Sequence, residues 1–186
     1  MPRMLPILAD AGVPMLFVAF PFAFYLLIPV IAVETWIARS VPQISLQRRF
    51  FGALAANVFS TAVGWPIAWY ILVLLQMYVI PGGGGGYGLD TPLHRIASVT
   101  LQAAWLIPYE RDLYWMVPTA SIVLLLPAFL ITIPSEALVL RFVWRQTAVS
   151  ERRRFVWVAN LWSYALLVLA GLLWLWYSVT HYAKPI

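Results

Sequence analysis

The sequence predicts an all-α polytopic membrane protein of four transmembrane helices built as two repeated hairpins, with a short interfacial helix in an external loop. Three observations predict it. The 186 residues are 63% apolar and 10% charged, with a mean hydropathy of +0.85. A typical globular chain is roughly 45–50% apolar and about 25% charged, so too few polar side chains remain here to cover a water-facing surface. Four apolar runs, at about 13–38, 52–80, 116–142 and 155–179, reach the ~20 residues that cross a hydrocarbon core. Finally, the basic residues gather in two of the connections. The chain reads as a single transmembrane domain over 1–186. This composition excludes a soluble enzyme, a disordered chain and a basic nucleic-acid-binding domain. The absence of cysteine excludes disulfides, thiolate metal sites, thiol nucleophiles and thioether-linked haem.

The amino-terminal stretch MPRMLPILADAGVP does not read as a signal peptide: it has one arginine, three prolines and no small-residue cleavage site before the first span. Span 1 follows. Prolines inside spans are tolerated when neighbouring helices satisfy the freed carbonyls. Pro14, Pro21, Pro29, Pro66, Pro118, Pro127 and Pro134 therefore predict kinks, not breaks. Between spans 2 and 3, the loop at about 81–115 opens with PGGGGGYG, which contains a G-x-G-x-x-G match at Gly83, Gly85 and Gly88. A dinucleotide site needs a strand before that motif and a helix directly after it. Neither is present, so the stretch reads as a flexible glycine linker. Thr91-Pro92 then reads as an N-cap followed by proline at the first helical position. The stretch LHRIASVTLQAAWLI predicts a helix ended by Pro108 and anchored at the membrane interface by Trp105.

Charge sets the orientation. The net charge of +5 would suggest a nucleic-acid partner in a soluble protein, but here it marks a membrane face. The connection after span 1 holds Arg39, Arg48 and Arg49, and the one after span 3 holds Arg141, Arg145, Arg152, Arg153 and Arg154 beside a single acid, Glu151. Arg3, Arg95, Arg111 and Lys184 on the other side are balanced by Asp10, Asp90, Glu110 and Asp112. Both arginine connections are thus expected in the cytoplasm and both termini outside, in a bacterial inner or other energy-coupling membrane. Tyr78, Trp105, Tyr109, Tyr114, Trp115, Trp174, Trp176, Tyr177 and Tyr182 fall near the outer boundary, and Trp36, Trp144 and Trp157 near the inner one. Such rings form a belt at the headgroups. The sharper alternative is a stacking surface for a pigment, quinone or sterol.

One polar pattern recurs inside the spans. AANVFS (55–60) and VANLWS (158–163) each place a serine three residues after an asparagine. Glu34 lies five residues before Arg39, as Glu136 does before Arg141, and the Glu-to-Asn spacing is 23 in one half and 24 in the other. These matches predict a duplicated helical hairpin, its copies related by a pseudo-twofold along the membrane normal. Each glutamate is then about 7.5 Å along its helix from the nearby arginine, within the membrane. Asn57 and Ser60 share a helix face, as do Asn160 and Ser163. Within each hairpin the glutamate of one helix is expected to approach the Asn/Ser face of the next. Ionisable groups in spans usually face the bundle interior and mark function, while asparagine and serine commonly join helices through hydrogen bonds. The cluster therefore reads either as a packing device or as a site for protons, an ion, a lipid headgroup or a partner.

The stretches IPVIAVETWIAR (28–39), ALAANVFSTAVGWPIAW (53–69), PSEALVLR (134–141) and VANLWSYALL (158–167) resemble a group of uncharacterised bacterial integral membrane proteins with four spans. The resemblance covers most of the spans but not the glycine-rich loop, and it implies fold and topology without an activity.

His94 and His181, the only histidines, fall at the external face, so the standard histidine ligation of a buried haem or chlorophyll is not expected, nor is a metal site. No Ser/His/Asp set or HExxH is present. The leading expectation is a non-catalytic subunit of a larger membrane assembly, photosynthetic or respiratory. Its partners would be other integral membrane subunits and lipids, not nucleic acid. No cofactor is predicted, though contact with lipid, carotenoid, chlorophyll or quinone fits the aromatic faces. The alternative is a small transporter or proton/ion pathway using Glu34 and Glu136.

Overall fold

The computed structural model describes residues 12–41, 44–79, 86–107, 109 and 111–183, with nothing said of the side chain of Phe20. The expectations for the amino-terminal tail, Gly83, Gly85, Pro108, Glu110 and Lys184 lie outside the described residues. The protein is mostly helical. Helix α1 runs over Met15–Ile37 and ends in a 3-10 turn at Ala38–Ser40. Helix α2 (Leu46–Phe59) continues through a π-helical turn at Ser60–Gly64 into α3 (Trp65–Val79). A short α4 (Pro92–Thr100) precedes the long α5 (Leu113–Val143) and α6 (Val149–Tyr182). Four stretches are long and apolar enough to cross a membrane: Pro21–Ser40, Leu46–Tyr78, Leu113–Val143 and Val149–Tyr182.

The helices outrun the apolar runs that predict them. A helix rises 1.5 Å per residue, so the 34 residues of α6 extend about 50 Å, well past a core about 30 Å thick. Arg48 and Arg49 therefore lie on the first turn of α2, and Arg152, Arg153 and Arg154 on the first turns of α6, not in loops. Arg141 is in the last turn of α5. Ser45 caps α2 by accepting from the Arg48 backbone N–H.

Pro21 and Pro29 lie within α1, and Pro118, Pro127 and Pro134 within α5, so helices continue through them. The π turn explains how the second span meets Pro66. A proline in a helix interior removes one bond and pushes against the carbonyl four residues back, and a widened turn ahead of it relieves both effects. Pro14 departs from the expectation. It lies before the helix, in a two-residue strand.

The chain clusters into two compact units: residues 1–20, 69–124 and 169–186, and residues 21–68 and 125–168. In the first unit, strand β1 (Val13–Pro14) pairs antiparallel with β2 (Trp105–Leu106), in the register Val13↔Leu106 and Pro14↔Trp105. Gly12, with φ +77°, turns the chain where any Cβ would strike the Trp105 indole. Trp69 Nε1 donates to the Ala104 carbonyl at 2.8 Å, and Gln76 Nε2 to the Trp105 carbonyl at 2.9 Å. The expected helix from Leu93 to Ile107 thus stops at Thr100. The backbone of 104–106 is taken up by β1, Trp69 and Gln76, which the apolar pattern of AAWLI does not reveal. Thr91 caps α4 as expected, accepting from the His94 N–H.

The second unit is built on a core of Ile37, Ala38, Val41, Ile44, Ala56, Leu140, Trp144, Phe155, Val156 and Ala159. Trp144 corrects a second expectation. It is buried instead of facing headgroups, packs its ring 4.8 Å from Phe155, and donates to the Arg48 carbonyl at 3.0 Å. Gly52 makes this seat: a Cβ there would lie 2.4 Å from the indole nitrogen.

Candidate functional site

All six polar residues picked out by spacing, Glu34, Asn57, Ser60, Glu136, Asn160 and Ser163, lie in the second unit and are at most 5% exposed. Each contacts another of the six. Asn57 Nδ2 donates to Glu34 Oε2, and Asn160 Nδ2 to Glu136 Oε2, both at 2.5 Å. The second proton of each amide goes one turn back on its own helix, from Asn57 to the Ala53 carbonyl and from Asn160 to the Val156 carbonyl, at 3.0 Å each. Both asparagine rotamers are thereby held by two bonds.

The serines depart from the expectation that each faces the glutamate of its own hairpin. Instead Ser163 Oγ donates to Glu34 Oε1 at 2.6 Å, and Ser60 Oγ to Glu136 Oε1 at 3.3 Å. Residues three apart on a helix differ by about 60° in direction, enough for the asparagine to face one neighbour and the serine another. Each carboxyl therefore accepts an amide from its own half of the sequence and a hydroxyl from the other half. The closeness of the two serines to their glutamates differs, and the π turn that begins at Ser60 has no counterpart at Ser163.

Two chemical properties follow. First, the described partners of both carboxyls are neutral amides and hydroxyls, not the arginines five residues away. Second, each hydroxyl has one proton and two acceptors in reach. Ser163 Oγ is also 2.9 Å from the Ala159 carbonyl, and Ser60 Oγ is 3.2 Å from the Asn57 carbonyl. With a carboxylate, the serine gives its proton to Glu34 or Glu136. With a carboxylic acid, the acid donates to the serine oxygen and the serine turns its proton to the carbonyl. The same heavy-atom positions thus accommodate either form. Asn160 Oδ1 is buried with no hydrogen-bond partner among the described residues.

Spacing along the chain misses one pair. Thr132 Oγ1 and Tyr164 OH are 2.8 Å apart in the same unit, with the Phe129 ring 5.0 Å from that of Tyr164. Thr132 lies four residues before Glu136 and Tyr164 four after Asn160, so helical spacing from the cluster is the signal that points to them.

The basic residues form a separate group in this unit. Arg39, Arg48, Arg141, Arg145, Arg153 and Arg154 are exposed, and Arg49 and Arg152 half-buried. Arg152 closes the turn between α5 and α6, its guanidinium donating to the Trp144 and Thr147 carbonyls at 3.0 Å.

Fold and cluster together fit the class of polytopic helical membrane proteins, with a buried carboxyl network borne by helices long and apolar enough to cross a membrane. No family model matches the chain, and no curated protein or solved structure is found to be similar to it.

Proposed function

We propose that the chain is a non-catalytic integral membrane subunit of a larger membrane assembly, with the Glu/Asn/Ser network as the brace that gives its helices one arrangement. The observation that carries this reading is closure. Every oxygen of both buried carboxyls is hydrogen-bonded, and the donors come from both halves of the sequence. The four matched bonds support a duplicated hairpin. The basic helix ends support a cytoplasmic location for the α1–α2 and α5–α6 connections, with both termini outside. The exposed Leu93, Ile96 and Leu101 beside Arg95 support an interfacial seat for α4. Large exposed apolar and aromatic side chains, among them Phe17, Tyr25, Ile28, Trp162 and Trp176, offer faces to lipid, pigment or partner helices.

The test is isolation of the native protein in mild detergent, with the co-purifying proteins and the absorption spectrum recorded. Stoichiometric membrane partners are the expected result. A protein that emerges alone and free of pigment removes the assembly reading.

A second reading, a proton or ion pathway through Glu34 and Glu136, is favoured by one observation: the serine proton turn lets each carboxyl gain or lose a proton without heavy-atom movement. Its test is flux in reconstituted vesicles for Glu34→Gln and Glu136→Gln. Unchanged flux in folded variants removes it.

A further inference from the structure

The second unit contains a cavity of about 510 Å³ that the carboxyl network does not use. Its apolar lining includes Ile44 and Trp144, and its polar lining includes Arg48, Arg145, Thr147 and Glu151. We propose that this cavity binds a phosphate-bearing anion, with the headgroup of an anionic phospholipid as the source its surroundings favour.

Charge gives the first reason. Segments 38–49 and 141–154 carry eight arginines and one acid. Two of those arginines line the cavity against the single carboxylate of Glu151, so the lining is net positive. Donor supply is the second. A guanidinium has five N–H donors in a planar fork that matches phosphate oxygens. Among the described residues, Arg48 spends one on Gln146 Oε1 at a long 3.4 Å, and Arg145 spends its Nε on the Phe142 carbonyl at 3.1 Å. The remaining donors of these two lining side chains make no other hydrogen bond among the described residues. Backbone supplies the third: Ala148 and Glu151 bring the start of α6 into the lining, where N–H groups without intrahelical acceptors favour an anion.

Position favours a lipid over a soluble phosphate. The cavity lies where α2 and α6 begin and α5 ends, the ends of three of the stretches long enough to cross a membrane. Leu46, Phe50, Phe142 and Val149 near it are exposed and apolar, as the neighbours of an acyl-glycerol group would be. Basic pockets at such helix ends are suited to anionic headgroups. The site needs only the spans and does not depend on the assembly reading.

The full-length protein in detergent is titrated with phosphatidylglycerol, with phosphatidylcholine, and with inorganic phosphate, and bound species are counted by native mass spectrometry. Phosphatidylglycerol is expected to bind in preference to phosphatidylcholine. An arginine near anionic lipid contributes about fivefold in affinity, so the double variant Arg48→Gln, Arg145→Gln is expected to lose about thirtyfold. The control Arg153→Gln, Arg154→Gln makes the same change in net charge outside the cavity and is expected to retain the lipid. Saturable binding of inorganic phosphate that displaces the lipid and is lost in the Arg48/Arg145 variant supports the site with a soluble source. Equal loss in both double variants, or no preference between the two lipids together with no phosphate binding, overturns the proposal. Both cavity side chains are exposed, so folding is expected to survive; should the double variant aggregate, Arg145→Gln alone gives the same reading at about fivefold.

Discussion

Replacing Glu136 by alanine and by glutamine separates the brace from mere burial. Alanine removes the acceptor of Asn160 Nδ2 and of Ser60 Oγ and leaves a void where a fully buried side chain stood. Hydrogen bonds between membrane helices are worth about 0.6 kcal/mol on average and up to about 1.7. Two of them contribute about 1–3 kcal/mol. The void adds its own cost, so the alanine variant is expected to lose about 2–4 kcal/mol. Glutamine keeps the shape. Its carbonyl accepts from Asn160, and its amide donates to Ser60, whose proton then serves the Asn57 carbonyl at 3.2 Å. Its cost is expected to stay below about 1 kcal/mol. Reversible unfolding of the purified protein in mixed micelles, followed by tryptophan fluorescence, measures both. Equal losses for glutamine and alanine would refute the reasoning, as would an alanine variant as stable as the parent.

Other substitutions probe the bonds and packing one at a time. Ser163→Ala is expected to cost more than Ser60→Ala, by up to about 1 kcal/mol in the same unfolding assay, because the first removes a 2.6 Å bond and the second a 3.3 Å one. Gly52→Ala is expected to cost about 1–3 kcal/mol by overpacking, since the Trp144 ring it meets is held by the Arg48 carbonyl. Gly64→Ala, whose Cβ would meet nothing closer than 3.5 Å, is expected to be neutral or stabilising by up to about 1 kcal/mol. Trp69→Phe removes the bond to the Ala104 carbonyl, and limited trypsin digestion is expected to cut faster at Arg95; an unchanged rate would show that the bond does not hold the loop.

The spans and the six cluster residues are legible in the sequence because both follow from counting along a helix. Spacing yields the matched places of Glu34 and Glu136 along their helices and the shared face of each Asn/Ser pair. It does not say which neighbour that face meets, because a face is a property of one helix and a contact belongs to two. Pairing Ser60 and Ser163 within their own hairpins fails for that reason. The strand at Trp105–Leu106 is hidden for a related one: a short apolar run suits helix and strand alike, and its partner at Val13–Pro14 is about ninety residues away in the chain. Trp144 reads as a headgroup anchor because a tryptophan beside arginines is usually amphipathic. Its seat depends on Gly52, from another helix.

The crossing of the two serine bonds has a consequence for biogenesis. When the first helical pair enters the bilayer it carries Glu34 with an amide partner but no hydroxyl, and Ser60 without its carboxyl. Ser60 meets its carboxyl once α5 brings Glu136, and Glu34 gains its hydroxyl only with Ser163 on α6. A chain truncated before Ser163 is therefore expected to hold Glu34 with one fewer hydrogen-bond donor, at a cost wherever that carboxyl meets lipid. The helix that bears Ser163 thus completes the hydrogen bonding of the helix that bears Glu34.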